Sequence, residues 1–305
     1  MARTLLVTGV KHTWREYLKT RREGRDVLVL DPADSHWGAP GRVALFRGEK
    51  LVDWRFVGCL DASKNPLAVL QGAAELLPLA QGDVLIQAPA FRRSPVLRQL
   101  LLGLAQWIQP EEILIPDGVD FGGEGWIVGP EPVLLEAEFP PMVVSAQRRA
   151  RWLELLESCE DHEIPLDEVH FQGMRFGSGK RLPIDFFVRA GLEQVVWAES
   201  TQKTLVLISR KPLDDDQIAS AMNIAHAAKV MLIDPISFSG HLCALSRQNG
   251  EHLGMGIIEE FDFVRGVARC RATAVAPAPV RTLQVGLLKL DSSGRELGEI
   301  RPWTI

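Results

Sequence analysis

Thr4-Leu5-Leu6-Val7-Thr8-Gly9-Val10-Lys11-His12-Thr13-Trp14-Arg15-Glu16-Tyr17-Leu18 is the stretch on which the reading of the chain turns. An apolar, β-branched run reaches Gly9 and then gives way to a helical pattern. That is the grammar of strand, phosphate loop and helix. A loop of the GxxxxGK[ST] type opens at such a glycine and closes in Gly, Lys and Ser or Thr. Here the closing positions hold Trp14, Arg15 and Glu16. The frame of a phosphate loop is present and its chemistry is altered.

Outward from that stretch, strands and helices alternate. Trp14 to Arg22 reads as a helix that ends in Lys19, Arg21 and Arg22 before Gly24, as suits a helix C-terminus. Asp26 to Leu30 is a second buried strand, stopped by Asp31-Pro32, and completes a βαβ unit. Val43–Phe46 and Leu51–Val57 read as two short strands about a turn at Arg47 to Lys50. Asn65-Pro66 opens a helix running to about Leu79, and Asp83–Gln87 is another buried strand. Pro95–Ile108 reads as a helix with Ser94 as its cap and Pro95 at its first position, followed by a strand at Glu112–Ile115. The alternation predicts an α/β domain over residues 1–145 with a mostly parallel sheet.

After Pro116 the pattern changes to a Gly- and Pro-rich stretch, and then to a helix over Ala146–Ser158 that opens on Arg148, Arg149 and Arg151. From Val169 the chain is β-rich, with Asp214–Ala228 as its one clear helix. Asp214, Asp215 and Asp216 stand at the start of that helix, where negative charge suits the dipole. Residues 146–305 therefore read as a helical lid segment and a second, β-rich domain. Two domains also suit 305 residues.

The 34 Lys and Arg against 39 Asp and Glu give a charge of −5, which advertises no large nucleic-acid footprint. Cys59, Cys159, Cys243 and Cys270 lie far apart with no CxxC, so they read as reduced, mostly buried thiols outside any zinc site. The N-terminal apolar run is too short for a signal peptide or a membrane span, which implies a cytoplasmic protein with no membrane partner.

Several segments together resemble the RNA 5′-hydroxyl polynucleotide kinases: the kinase of the eukaryotic pre-mRNA cleavage complex, its pre-ribosomal relative and their archaeal homologues. The family's Leu-Asp-x-Gly-Gln and Pro-Gly are matched by Leu30-Asp31-Pro32-Ala33-Asp34 and Ala39-Pro40-Gly41. Its Phe-Val-Gly-Ser and Asn-Pro-Leu are matched by Phe56-Val57-Gly58-Cys59 and Asn65-Pro66-Leu67. Its Asn-Thr-Pro-Gly-Trp is answered by Gln87-Ala88-Pro89-Ala90-Phe91, and its Arg-rich lid helix by Arg148-Arg149-Ala150-Arg151. The C-terminal pattern is echoed at Gly250–Gly266, Val280–Gly286 and Gly294–Gly298. The resemblance implies a P-loop NTPase-like fold without the family's N-terminal β-domain. It also implies ATP and Mg²⁺ as cofactors if the site works, and an RNA or DNA 5′ end or a protein as partner.

What the resemblance implies of residues is mixed. Gly9, Val10, Lys11, His12, Thr13, Trp14, Arg15 and Glu16 take the nucleotide-binding positions. Asp31 takes the place of the catalytic base and, with Glu16, of the metal ligands; its alternative is a turn Asp at a strand end. Arg148, Arg149 and Arg151 are lid arginines that clamp phosphates, or else a solvated helix face. Arg15 keeps the charge of the lost Lys but not its compact geometry. Trp14 stands where backbone must approach a phosphate closely. Glu16 brings a like charge, which at about 4 Å costs roughly 4 kcal/mol at an effective dielectric near 20. That is about three orders of magnitude in ATP affinity. The expectation is a kinase-family protein, catalytically impaired or inactive, that acts as a binding or scaffold protein. The alternatives are an active, atypical ATP-dependent polynucleotide 5′-kinase in RNA processing, with Arg15 as the Lys, and a nucleotide-independent nucleic-acid-binding module. The Gly177-Ser178-Gly179-Lys180 stretch lacks a preceding apolar strand and reads as a turn.

Overall fold

A computed structural model describes residues 2–7, 17–18, 21–90, 94–115, 140–174, 177, 179–273 and 279–300. The chain forms two compact units, Met1–Glu154 and Leu155–Ile305.

The first unit is built on one six-stranded sheet. Its strands are β1 (Arg3–Leu6), β2 (Asp26–Val29), β3 (Arg42–Arg47), β4 (Lys50–Phe56), β5 (Val84–Gln87) and β6 (Glu112–Leu114), in the order β4-β3-β2-β5-β1-β6. β2, β5, β1 and β6 run parallel, while β3 and β4 add an antiparallel hairpin at the edge. Every residue of β2 and β5 is buried, as strands of a parallel sheet covered on both faces must be. Helix α1 (Pro66–Leu76) continues as a 3₁₀ turn to Leu79. Helix α2 (Pro95–Ile108) starts where the sequence places it, with Ser94 Oγ accepting from the Leu97 amide at 3.4 Å and Pro95 at its first position. It ends at Gln109 in the left-handed region. Of the helix expected over Trp14 to Arg22, Tyr17, Leu18 and Arg21 are helical.

Helix α3 (Pro141–Glu157) begins five residues before the expected start. Arg148, Arg149 and Arg151 therefore sit in its middle rather than at its opening, and the division between the units falls inside its last turn.

The second unit becomes β-rich at once, ten residues earlier than the sequence suggests. Its elements are β7 (Cys159–Pro165), β8 (His170–Gln172), β9 (Lys180–Arg181), α4 (Ile184–Arg189), β10 (Val195–Thr201), β11 (Thr204–Ser209), α5 (Asp215–Ile224) and β12 (Lys229–Ile233). They are followed by β13 (His241–Ser246), β14 (His252–Asp262), β15 (Val267–Thr273), β16 (Thr282–Leu290) and β17 (Glu296–Glu299). One sheet has the order β12-β11-β10-β9, the other β17-β16-β13-β14-β15-β7 with β8 beside β16. Trp197, Val206, Ile208 and Ile233 of the smaller sheet share a core with Cys243, Leu245, Ile258 and Val285 of the larger. The opposite face of the smaller sheet, with Ala198, Leu205 and Leu207, packs Phe187 of α4 and Ala221 of α5. Helix α5 is capped by Asp214, whose side chain takes the Gln217 amide while Gln217 reaches back. It is shorter than the sequence suggests and is not alone, since α4 is also helical.

Candidate functional site

In the parallel part of the first unit, the carboxyl ends of β1, β2 and β5 lie at one edge, where open α/β sheets hold their ligands. The loop from Asp31 to Gly41 crosses that edge. Asp31 Oδ1 accepts from the Ala33 amide at 3.0 Å, the local turn that an Asp before a bend adopts. Asp34 is more deeply engaged. Its Oδ1 takes the amides of His36 and Trp37 at 2.9 and 3.2 Å, and its Oδ2 takes Gln87 Nε2 at 3.0 Å. Gln87 is the last residue of β5 and is buried, so this bond ties the loop to the sheet. The loop closes at Gly41, whose amide donates to the Pro32 carbonyl at 2.8 Å and whose own carbonyl accepts from Val57 and Gly58.

Of the expected lid arginines, Arg151 reaches the loop. Its Nε donates to the Ser35 carbonyl at 2.9 Å and its Nη2 to the His36 carbonyl at 3.3 Å. Its Nη1 pairs with Glu154 at 2.7 Å, one turn along α3. Arg148 is half-buried and Arg149 exposed on the same helix. Gly9, Val10, Lys11, His12, Thr13, Trp14, Arg15 and Glu16 lie outside the described residues. Among the described residues no group of three or more His, Cys, Asp or Glu side chains could hold a metal ion.

Sequence reasoning missed two members of this edge. Gln87 entered only as a counterpart of the family's Asn, and nothing in its spacing marks it as the partner of Asp34. Arg42, the first residue of β3, lies beyond the last β2–β3 pair, Val29 with Ala44, and so at the same edge. Its guanidinium stands over the Trp54 ring at 5.8 Å, and burial lowers its pKa to about 10.

The second glycine-rich stretch is an anion cradle already filled from within. The Gly177 amide donates to both Glu199 oxygens at 3.0 and 2.9 Å, the Gly179 amide to Oε2 at 3.2 Å, and Trp197 Nε1 to Oε1 at 2.6 Å. Burial raises the Glu199 pKa, against these hydrogen bonds and the nearby Arg181. Ser178 lies outside the described residues.

No family model and no curated protein matches the sequence. Solved structures that match include two of the Clp1p–Pcf11p complex. The first, of an extended Pcf11p–Clp1p interface and the structural basis of ATP loss in a glycine-to-arginine point mutant, has a TM-score of 0.51 and 11% identity. It covers 94% of this chain and 75% of that one. The fold is Clp1-like. The wild-type Clp1p–Pcf11p complex matches similarly, with a TM-score of 0.50 and 11% identity over 94% of this chain and 74% of that one. At such identity the likeness to Clp1p is one of fold. No helix among the described residues is long and apolar enough to cross a membrane.

Proposed function

We propose that this chain is a polynucleotide-kinase-like scaffold: a protein of the Clp1p shape that has given up phosphoryl transfer and works by binding another protein. The observation that carries this reading is the engagement of Arg151. A lid arginine that clamps phosphates must present its fork to them. Here all three guanidinium nitrogens are turned to the Ser35 and His36 carbonyls and to Glu154, so the residue braces the loop after β2. The sequence of the first loop supports the same conclusion, with Trp14, Arg15 and Glu16 at the closing positions. In Clp1p itself, one glycine-to-arginine change suffices for ATP loss, and the matching structures are complexes with a protein partner.

The test is a calorimetric titration of ATP with Mg²⁺ into the wild-type protein and into the Trp14→Gly/Arg15→Lys/Glu16→Ser variant, beside a transfer assay with labelled γ-phosphate and 5′-hydroxyl RNA and DNA. The expected result is no heat and no transfer for wild type, with ATP binding restored in the variant. Micromolar ATP binding by wild type, or transfer that the Asp31→Ala variant lacks, would establish an active kinase instead.

A further inference from the structure

Arg42 differs from other charged side chains at the sheet of the first unit. Asp26, which is buried, is held by Arg47 Nε and Nη2 at 3.1 and 2.9 Å and by the Gln81 amide at 2.8 Å. Arg55 is paired with Asp53 and Glu75. The Arg42 guanidinium has no hydrogen bond and no ion pair among the described residues, and Trp54 beneath it is its one ring contact there. Arg42 is half-buried, so its guanidinium keeps access to water and is open to an anion.

Two further features stand beside it. Gly38, with φ of +122°, lies against the guanidinium: a Cβ there would stand 2.6 Å from Nη2. Any side chain at that position would crowd the guanidinium, and the positive φ also favours glycine there. Trp37 contributes an unsatisfied donor, since its Nε1 is buried and has no hydrogen-bond partner among the described residues. Its ring packs on Phe46 at 5.0 Å, and Phe46 and Arg42 project to the same face of β3. That hairpin face therefore holds a planar cation and an indole N–H, both donors with no hydrogen-bond partner among the described residues. Planar guanidinium forks match phosphate oxygens in two parallel hydrogen bonds.

We infer that Arg42, with Gly38 and Trp54, forms an anion site for a phosphate group on the β3–β4 face, at the carboxyl edge of the parallel strands. The site does not depend on the loop between β1 and the next helix, so it stands whether or not ATP binds there. Its phosphate comes from a free phosphate or pyrophosphate, or from a polynucleotide end. Burial lowers the Arg42 pKa, as expected of a guanidinium waiting for a counter-charge, and an anion would relieve this.

The experiment follows thermal unfolding of the full chain and of Arg42→Met and Arg42→Gln. The probes are sodium pyrophosphate, a 5′-phosphorylated hexanucleotide, the same hexanucleotide with a 5′-hydroxyl, and sodium chloride of matched ionic strength. Wild type is expected to gain roughly 5–10 °C in Tm at a hundredfold excess of ligand over its Kd. The variants are expected to gain nothing beyond the chloride control, and to be at least as stable as wild type without ligand. A response to the 5′-phosphorylated strand and not to its 5′-hydroxyl counterpart places the phosphate at a polynucleotide end. A response to pyrophosphate alone makes it a free phosphate. If pyrophosphate and both strands leave wild type unmoved, or move the variants equally, the site does not exist. If Arg42→Met unfolds in ligand-free buffer, the guanidinium has a structural partner and the inference is wrong.

Discussion

His241 on β13 has no exposed surface, and its Nδ1 stands 2.8 Å from the Gly286 carbonyl. The neutral ring therefore carries its proton on Nδ1, while Nε2 is buried with no partner among the described residues. Burial, with Lys289 nearby, lowers the pKa from 6.5 to about 4. A base whose pKa falls on folding stabilises the fold at pH above its unfolded value, and that stability is lost as pH falls through the folded one. Between pH 6.5 and 4 the second unit should therefore lose up to about 3 kcal/mol, at 1.36 kcal/mol per unit. Urea unfolding at pH 7 and pH 4.5 should show the loss in wild type and a much smaller one in His241→Phe; equal losses would place the acid sensitivity elsewhere. Such a residue was invisible in the sequence, where a lone His carries no pattern. The site residues were partly legible for the same reason in reverse. Asp31 closes an apolar strand and so could be placed at the carboxyl edge from sequence alone. The bonds of Asp34 to Gln87 and of Arg151 to the loop carbonyls join residues 53 and more than 100 positions apart, and no local pattern encodes them.

Elements were legible where one physical signal dominated. Continuous apolar runs marked β2 and β5, and a capping Ser followed by Pro marked α2 to the residue. The misses came where tertiary pairing overrode local character. β7 is the polar run Cys-Glu-Asp-His-Glu-Ile-Pro, a strand because β15 pairs with all of it, from Cys159 opposite Thr273 to Pro165 opposite Val267. α4 has six residues, too few to show a helical period. Helix α1 adds a constraint that its own sequence hides. Gly72 faces β3 and β4 so closely that a Cβ there would collide with Val43 Cγ2 and press on Arg55 Cβ. The helix is seated at that depth because position 72 lacks a side chain, which outweighs the usual cost of a helical glycine of about 1 kcal/mol. Gly72→Val should therefore destabilise by about 1–3 kcal/mol through overpacking, although valine is the better helix former. Guanidinium unfolding would read this directly, and a neutral or stabilising result would mean that the helix can shift outward freely.

At the scale of the whole molecule, the sequence changes from alternating strands and helices to a β-rich half, and the structure has two compact units, Met1–Glu154 and Leu155–Ile305. The strand orders were not legible in the sequence, because register depends on partners and only the carboxyl-edge turn at Asp31 announces its place. Each unit has its own core: Leu6, Val27, Val29 and Leu85 in the first, and Ile164, Ile258, Cys270 and Leu283 among others in the second. Separate cores imply separate cooperative transitions, since a domain with its own core unfolds as a unit. Ile258 has no exposed surface and lies within the second core. Ile258→Ala should cost that unit about 2–5 kcal/mol, the transfer of the lost methylenes plus the cavity they leave. Hydrogen exchange across a denaturant series should then show protection falling in β13, β14 and β15 while the amides of β1, β2 and β5 keep theirs. If protection in both halves falls together, the chain folds as one cooperative body and the separate-transition reading is wrong.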